Sequence, residues 1–511
     1  MIPATPSTQP TSSVRLSTLR ALIDAQAALR PDATYALDTD GTQAITFGAL
    51  QRSCRQVAAL LQTQGSAPGD TVSLVMPNGL QTLRLLLGAL HGGWCVNPVN
   101  LLSSTDQMRY VLTHSDCKVV IASPDWAGAV EGILKTIDRP IALIVSDVST
   151  NTLPAAELQT PAPAPDAIAL LMYTSGTTGV PKGVMLTQAN LAANAHAISA
   201  EHGLGATDRV LAVLPLYHIN AFAVTMLAPL AHGGSLAMPP KFSAGSFWQQ
   251  ATQTHCTWIN VVPTMISYLL EGAAPGVDVS AIRFCRSASA ALPPEHLRAF
   301  ETKFGIGIIE TMGLTETVAP SFSNPLQPEL RKLGSVGKAS GCEARVIDAA
   351  LQPVAAGVTG EIAIRGPQVM RGYYKNDEVT RASFTPDGWL RTGDLGHCDA
   401  DGFYFVTGRI KELIIKGGEN IAPREIDEAL LRHPAVLDAA SVGIPDKHYG
   451  QEIMACVILR AGHPANEDAL RAFCTVHLGR YKTPKVFHFV ADLPRGPSGK
   501  VQRLKLLELN R

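Results

Sequence analysis

Apolar residues recur at helical spacing in several segments of the 511-residue chain, and short runs of β-forming residues lie between them. The helical spacing predicts helices over 16–29, 50–64, 81–90, 190–199 and 423–431. The β-rich runs predict strands over 71–76, 119–122, 141–145, 167–172, 210–214, 235–238, 258–262 and 305–309. Alternation of this kind is typical of mainly parallel sheets that are covered by helices.

The pattern changes twice toward the C-terminus. From residue 334 to 373, short β segments lie between Gly and Pro turns, which favours a small antiparallel barrel or sheet. Near Gly408 a β-rich segment leads into a helix and a further compact unit. Because the chain is too long for one core, we predict an α/β multidomain protein. A large N-terminal domain of helix-covered sheets with a small β-barrel-like part is expected at 1–407, and a small α+β domain at 408–511.

Composition narrows the classes of protein that fit the chain. The formal net charge is −1, so no basic field indicates a nucleic acid partner. Nine cysteines are scattered without a C-x-x-C pair or a metal-binding spacing, which favours reduced thiols. The most apolar stretch, 83–89, is too short to span a bilayer and contains Arg84, and no secretory signal is evident. We therefore expect a soluble cytoplasmic protein, for which a homodimer stays open.

A short loop holds the most specific chemistry of the chain. It reads Tyr173-Thr-Ser-Gly-Thr-Thr-Gly-Val-Pro-Lys182-Gly183 and lies between a predicted strand and a predicted helix. Glycines let backbone N–H groups surround an anion, and hydroxyls and a lysine add further donors. The loop is therefore expected to bind polyphosphate, although it does not fit the Walker A frame. The candidate residues are Thr174, Ser175, Gly176, Thr177, Thr178, Gly179 and Lys182.

This loop resembles the phosphate loop of the adenylate-forming superfamily, which includes acyl- and aryl-CoA synthetases, peptide-synthetase adenylation domains and firefly-type luciferases. A second segment, Glu310–Thr317, is similar to a motif of that superfamily. The resemblance implies that Thr315 contacts phosphate and that Glu316 binds Mg²⁺, and Met312 stands where a tyrosine is usual. It also implies that a small-residue loop lies under adenine. The further residues implied in ATP or AMP binding are Ala288, Ser289, Ala290, Glu310, Thr311, Met312 and Gly313.

The motifs in the last quarter of the chain resemble those of the same superfamily. The resemblance implies that Asp394 binds the ribose hydroxyls and that Arg409 reaches ribose or phosphate. It places a hinge at Lys411, about which the C-terminal domain moves. Lys500, in a terminal Pro-Arg-x-x-Ser-Gly-Lys motif, is the implied catalytic lysine. The implied coenzyme A tunnel residues are Lys416, Gly417 and Gly418.

Less can be predicted about the acid that such an enzyme would activate. In the superfamily, a residue matching His218 gates the acyl pocket, and we assign it a catalytic role. Arg286 would pair with a second carboxylate, whereas Glu310 would face a cationic, betaine-like acid; alternatively, both charges are solvated or paired with neighbouring groups. Fatty and aromatic acids also stay open. The candidate pocket residues are His218, Ile219, Asn220, Arg286, Ser287 and Glu310.

Taken together, the motifs predict an acid–CoA ligase that uses ATP, Mg²⁺ and coenzyme A. The resemblance implies that a small-molecule carboxylic acid first forms an acyl adenylate and then a thioester. The alternatives are an adenylating enzyme that passes the acyl group to a carrier protein, a luciferase-like oxygenase, and a non-catalytic nucleotide sensor.

Overall fold

The computed structural model describes residues 17–151, 153–174, 180–495 and 501–510. Over these residues the strands form four sheets: two large and mainly parallel, one small and antiparallel, and one near the C-terminus. Alternating strands and helices thus form most of the described chain up to Met312, as the apolar pattern predicts.

The first large sheet has nine strands. Its six central strands are parallel, and antiparallel strands close both edges. In spatial order its strands are Lys338–Ala339, Phe322–Ser323, Ile308–Met312, Phe284–Ser287, Trp258–Val261, Arg209–Leu211, Ser235–Met238, Thr34–Asp38 and Ala44–Thr46.

The second large sheet has seven strands and carries both ends of the predicted phosphate loop. Five of its strands are parallel, and two further strands extend one edge of the sheet in antiparallel orientation. In spatial order its strands are Gly372–Tyr373, Lys182–Thr187, Ile168–Thr174, Cys95–Pro98, Thr71–Val75, Val119–Ala122 and Ala142–Val145.

Most helices of this region pack against the two sheets in one large apolar core, and Thr105–His114 and Pro124–Leu134 pack in a second apolar cluster. Leu80–Gly92 is buried along its whole length, and Gly88 lies so close to Val57 of the neighbouring helix that a Cβ there would clash. The helices are Leu19–Leu29, Phe47–Thr63, Leu80–Gly92, Thr105–His114, Pro124–Leu134, Gln188–Glu201, Ala228–His232, Phe247–Gln253, Pro263–Glu271, Pro294–Phe304, Asp377–Ala382, Pro423–Leu431 and Glu467–Lys482, with a π-helix at Asn220–Leu227 and 3₁₀ turns at Thr315–Thr317, Pro328–Leu330, Ile410–Glu412 and Arg503–Asn510. None of the described helices is both long and apolar enough to cross a membrane.

Two smaller sheets follow. The antiparallel four-stranded sheet consists of Glu343–Ile347, Gly360–Arg365, Leu390–Cys398 and Tyr404–Arg409. The C-terminal sheet has five strands and its own apolar clusters: Glu419–Ile421, Ile414–Lys416, Gly450–Leu459, Val436–Asp446 and Val486–Phe489. The predicted domain boundary near Thr407 falls within the last strand of the four-stranded sheet and stays a prediction.

One predicted strand is displaced along the chain. The sequence suggests a strand over 305–309, but Gly305 ends the preceding helix in a left-handed conformation and the strand is Ile308–Met312. Glu310, Thr311 and Met312 therefore belong to the strand and not to a turn after it. The same shift brings their side chains to the edge of the sheet where the neighbouring strands end.

Candidate active site

Arg286 is a fully buried cation in the middle of the nine-stranded sheet. It lies on the strand Phe284–Ser287, and Asn260 is directly opposite it on the neighbouring strand. Its Nη1 atom donates to the Oδ1 atoms of Asn220 and Asn260, each at 2.7 Å. Two neutral amides therefore fix the plane of this guanidinium.

The other edge of the Arg286 guanidinium is not satisfied. Within the described residues, neither Nε nor Nη2 has a hydrogen-bond partner, and no carboxylate forms a salt bridge with Arg286. Burial lowers the pKa of Arg286 to about 9, so the side chain still carries its charge at neutral pH. Buried donors without acceptors cost free energy, and a cost of this kind is usual where a ligand supplies the acceptors. Of the alternatives that the sequence leaves open, pairing with neighbouring groups describes one edge of Arg286, through the two amides, and leaves the other edge available.

Asn220 connects Arg286 to the loop that is predicted to lie under adenine. Asn220 begins the π-helix Asn220–Leu227, a rare conformation that is frequent at functional sites. Its Nδ2 atom donates to Oγ of Ser289 at 3.3 Å, and Ser289 itself has a left-handed backbone with φ of 76°. Ile219 is buried before it, and His218 is half-buried with its ring 4.8 Å from that of Tyr217.

The small-residue loop begins directly after Arg286. The hydroxyl of Thr311 donates to the backbone oxygen of Ser287 at 3.2 Å, which joins two neighbouring strand ends. Ser287 and Ala288 are buried, whereas Ala290 is less so. These contacts bring the predicted acyl pocket and the predicted adenine loop to the same edge of the sheet.

Glu310 lies at the same edge of the sheet, and the pKa of its carboxyl is raised. Burial raises the pKa of its carboxyl to about 7, and Arg424 from the C-terminal part of the chain acts in the opposite direction. The backbone oxygen of Glu310 accepts from Asn324 N at 3.0 Å. Near neutral pH the carboxyl is therefore partly protonated. A partly neutral carboxyl would bind a cationic, betaine-like acid only weakly.

We expect Glu310→Gln to remove a pH dependence of stability. The folded enzyme holds this proton up to about pH 7, whereas the unfolded chain releases it near the ordinary value of 4.5. The wild type should therefore lose stability relative to the variant as pH rises from about 5 to about 8, on the order of 2 kcal/mol. Thermal unfolding of both proteins across this range measures the difference. Melting temperatures that remain parallel would contradict the raised pKa.

Glu316 and Lys182 both contact one tyrosine, Tyr373. The hydroxyl of Tyr373 donates to Oε1 of Glu316 at 2.8 Å, and the ammonium of Lys182 lies 5.3 Å from the centre of its ring. Thr315 precedes Glu316 in the same 3₁₀ turn. The second oxygen of Glu316 suits Mg²⁺, which prefers one or two carboxylates together with substrate phosphates.

The two strands that flank the phosphate loop bring its ends together. Thr174 pairs with Lys182 across the antiparallel ladder, so Lys182 begins a strand and is not part of the loop itself. The hydroxyl of Tyr173 lies 2.8 Å from Nδ1 of His114, which attaches the end of the strand before the loop to a neighbouring helix. The other predicted loop residues, Ser175, Gly176, Thr177, Thr178 and Gly179, lie outside the described residues.

The predicted ribose-binding residues contact each other. Asp394 is buried, and its carboxylate accepts from Nε of Arg409 at 2.5 Å. A left-handed Gly393, with φ of 72°, turns the chain before Asp394, and its N–H donates to Glu361 at 3.0 Å. A carboxylate and a guanidinium in this arrangement offer both an acceptor and donors to a sugar hydroxyl pair.

The region of the predicted hinge follows Arg409 directly. Lys411 lies in the 3₁₀ turn Ile410–Glu412, between the four-stranded sheet and the C-terminal sheet. Beyond the turn, Lys416 is buried and forms a salt bridge of 2.5 Å with Glu452. The ammonium of Lys416 is thus engaged within the protein, while Gly417 and Gly418 form a left-handed turn beside it. Their roles toward coenzyme A stay predictions.

Lys500 lies outside the described residues, but the chain on both sides of it is well anchored. Arg495 and Val501 pair as an antiparallel bridge, and Arg495 forms a salt bridge with Asp438. Arg503 is held by Asp427 at 2.5 Å and by Glu412, next to the predicted hinge residue, at 3.2 Å. The described residues on either side, Arg495 and Arg503, are therefore attached to the C-terminal sheet and to the hinge turn.

Sequence reasoning does not identify three residues of this region. Asn260 has no motif, and only strand pairing brings it to Arg286. Tyr373 lies far from Glu316 in sequence, although a Gly-Tyr-Tyr run at an edge strand is a signal worth testing. Arg424 approaches Glu310 from the C-terminal part of the chain.

Met312 packs against the core of the four-stranded sheet, and the aromatic residues around Phe247 belong to the interior.

Comparisons with known proteins cover nearly the whole chain. Residues 23–374 match the AMP-binding enzyme family, and residues 425–500 match the AMP-binding enzyme C-terminal domain. The chain is 57% identical to a sulfoacetate–CoA ligase from Cupriavidus necator, over 96% of this chain and 97% of the relative. It is 36% identical to an oxalate–CoA ligase from Arabidopsis thaliana, over 95% and 97% of the two chains. The fold is similar to that of ATP-bound MatB from Rhodopseudomonas palustris, with a TM-score of 0.89, 29% identity and coverage of 96% and 99%.

Proposed function

The chain belongs to the AMP-binding enzyme family and is an AMP-forming acid–CoA ligase, and on this basis we propose that its acid substrate carries a second anionic group, as sulfoacetate does. Arg286 is the observation that carries this proposal. The names of the sulfoacetate and oxalate relatives support it, because both acids are short and carry two anionic groups.

The unsatisfied edge of Arg286 matches the geometry of an oxyanion. Nε and Nη2 lie on the same edge of the planar guanidinium, and their N–H groups point in nearly the same direction. Two oxygens of a sulfonate or carboxylate can accept both hydrogen bonds at once, which is the strongest arrangement for such a pair. The remaining nitrogen, Nη1, donates to Asn220 and Asn260, and these two hydrogen bonds prevent rotation of the guanidinium.

The same cation makes the pocket unsuitable for a long apolar acid. Trp258 and Phe284 on the two strands, and Phe222 on the π-helix, are fully buried. An alkyl chain placed against Arg286 would leave the charge desolvated without an anion, at a cost of several kcal/mol. A short acid with a terminal anion instead supplies the missing acceptors.

The reaction itself joins two anions, so the site must concentrate positive charge. The carboxylate of the acid attacks the α-phosphorus of ATP, which forms the acyl adenylate and releases pyrophosphate. The thiolate of coenzyme A then attacks the acyl carbon and releases AMP. We propose that Lys182, Arg409 and Lys500 stabilise charge in the first step and that Asp394 positions the ribose.

Mg²⁺ and the movement of the C-terminal domain belong to the same proposal. When bound, Mg²⁺ would neutralise phosphate charge, with Glu316 as its protein ligand. A hinge at Lys411 would remove Lys500 after the first step and open a path for the thiol along Gly417 and Gly418.

A cytoplasmic location stays a proposal that rests on the scattered, unpaired cysteines. Size-exclusion chromatography would test whether the protein forms the homodimer that the sequence leaves open.

A panel of carboxylic acids tests the proposed substrate. Pyrophosphate release should be fastest with sulfoacetate and slower with oxalate and malonate, because the length and shape of the acid set the fit to Arg286. Propionate, which has no second anion, should have a kcat/KM lower by about 10³-fold or more. Octanoate or benzoate as the preferred acid would contradict the proposal. Omission of coenzyme A should stop turnover after the adenylate, which separates a CoA ligase from an oxygenase.

A further inference from the structure

Tyr373 contacts two groups of opposite charge in the predicted triphosphate site, Lys182 and Glu316. It belongs to the edge strand Gly372–Tyr373, where it pairs with Val184. Lys182 is two residues before Val184, so its side chain leaves the strand on the same face. This register explains why the ammonium of Lys182 lies over the ring of Tyr373.

The hydroxyl of the same residue is directed to the other charge. It donates to Oε1 of Glu316 at 2.8 Å, and the backbone oxygen of Glu316 accepts from Met370 N at 2.8 Å. Tyr373 is buried, and its hydroxyl is the donor of this hydrogen bond. Only one carboxylate oxygen is used by this hydrogen bond.

We infer that Tyr373 is a positioning residue for the magnesium–triphosphate unit, because its ring holds Lys182 and its hydroxyl holds Glu316 while it keeps these two charges apart. Within the described residues no salt bridge joins Lys182 to Glu316. If the two paired directly, ATP binding would first have to break that ion pair. This inference rests on the proposed roles of Glu316 and Lys182, and it is independent of the acid that the enzyme uses.

Two substitutions separate the hydroxyl from the ring. Tyr373→Phe removes only the hydrogen bond to Glu316 and leaves the ring under Lys182. We expect this variant to bind ATP normally in EDTA but to need about 10- to 100-fold more Mg²⁺ for the same gain in ATP affinity, as loss of a hydrogen bond to a metal ligand usually requires. Tyr373→Leu removes the ring as well, so Lys182 and Glu316 can pair, and ATP binding should also weaken in EDTA.

Isothermal titration calorimetry of ATP, in EDTA and across a Mg²⁺ series without acid or coenzyme A, measures these effects. Tyr374→Phe is the matched control, because the hydroxyl of the neighbouring Tyr374 donates to Asp116 and, in the part of the chain that the structure describes, forms no hydrogen bond with Glu316. It should bind Mg²⁺ and ATP as the wild type does. Unchanged melting temperatures establish that the variants are folded.

Three results would overturn the inference. A wild-type Mg²⁺ requirement in Tyr373→Phe would show that the hydroxyl does not position Glu316. Equal weakening with and without Mg²⁺ would indicate a general structural effect. Glu316→Gln should lose at least as much Mg²⁺ response as Tyr373→Phe, and if it does not, the inference fails together with the metal role of Glu316. These titrations contain no acid, so they do not depend on which acid the enzyme uses. The acid panel tests the proposed substrate separately, and a failure of one proposal can be told from a failure of the other.

Discussion

Replacing Arg286 with methionine is expected to lower kcat/KM for sulfoacetate by about a thousandfold. Methionine is similar in length but cannot donate to an anion, so the second anionic group would be buried without a partner. Removal of one member of a buried charge pair typically costs about 2–5 kcal/mol, which corresponds to this range of rates. Propionate should lose little activity or gain some, because it never uses the guanidinium. Steady-state pyrophosphate release with both acids measures the ratio.

Stability distinguishes this role from a structural one. Arg286 has no carboxylate partner within the described residues, so in the absence of acid its buried charge is a cost to the fold. We therefore expect ligand-free Arg286→Met to melt at the same temperature as the wild type or higher. Sulfoacetate should raise the melting temperature of the wild type and leave that of the variant unchanged. A residue that mainly supports the fold would give a lower melting temperature and equal losses with both acids.

Two further variants control for charge and geometry. Arg286→Lys keeps a positive charge but loses the two-pronged edge, so sulfoacetate activity should fall to an intermediate level. Asn260→Asp places a carboxylate where the amide oxygen now accepts from Arg286 at 2.7 Å. That carboxylate would neutralise the guanidinium and compete with the substrate. Wild-type selectivity in Asn260→Asp would contradict the assignment of Arg286 as the receptor of the second anion.

Lys500→Ala is expected to stop the first half-reaction and to spare the second. A well-placed charge that stabilises a transition state commonly contributes about 10²–10³ in rate. Adenylate formation, followed by pyrophosphate release or exchange, should fall by that factor. Thioester formation from preformed acyl adenylate and coenzyme A should change little, because the hinge movement would already have removed the lysine from the site.

Lys505→Ala is the matched control for this substitution. Lys505 follows five residues later with an exposed side chain, and Arg503 between the two anchors the segment to Asp427 and Glu412. Its removal should leave both half-reactions at wild-type rates. Equal loss of both half-reactions in a folded Lys500→Ala enzyme would contradict the role that we assign to Lys500.

The predicted elements agree with the structure where the apolar pattern is local and strong. The helix Pro423–Leu431 has the predicted bounds, and Val119–Ala122 and Ser235–Met238 are strands as predicted. The pattern is less informative where a turn residue decides the register. Gly305 ends a helix in a left-handed conformation, so the strand after it begins later than its apolar residues suggest.

The candidate site shows the same division. Motifs such as that around Thr174, or Gly393-Asp394, are short, and their residue types indicate phosphate and ribose chemistry without reference to the rest of the chain. The state of Arg286 is different, because its two amide partners are 66 and 26 residues away along the chain. The sequence left open whether this cation is solvated, paired or available to a ligand.

The amino-acid sequence by itself therefore determined the class of reaction, the order of the motifs and the alternation of strands and helices, because each depends on residues that are close along the chain. Only the tertiary structure decided that Arg286 is buried with one edge unsatisfied, and that Tyr373 contacts both Lys182 and Glu316. Burial and the pairing of distant strands are properties of the folded chain, and they set which charges remain available to a substrate.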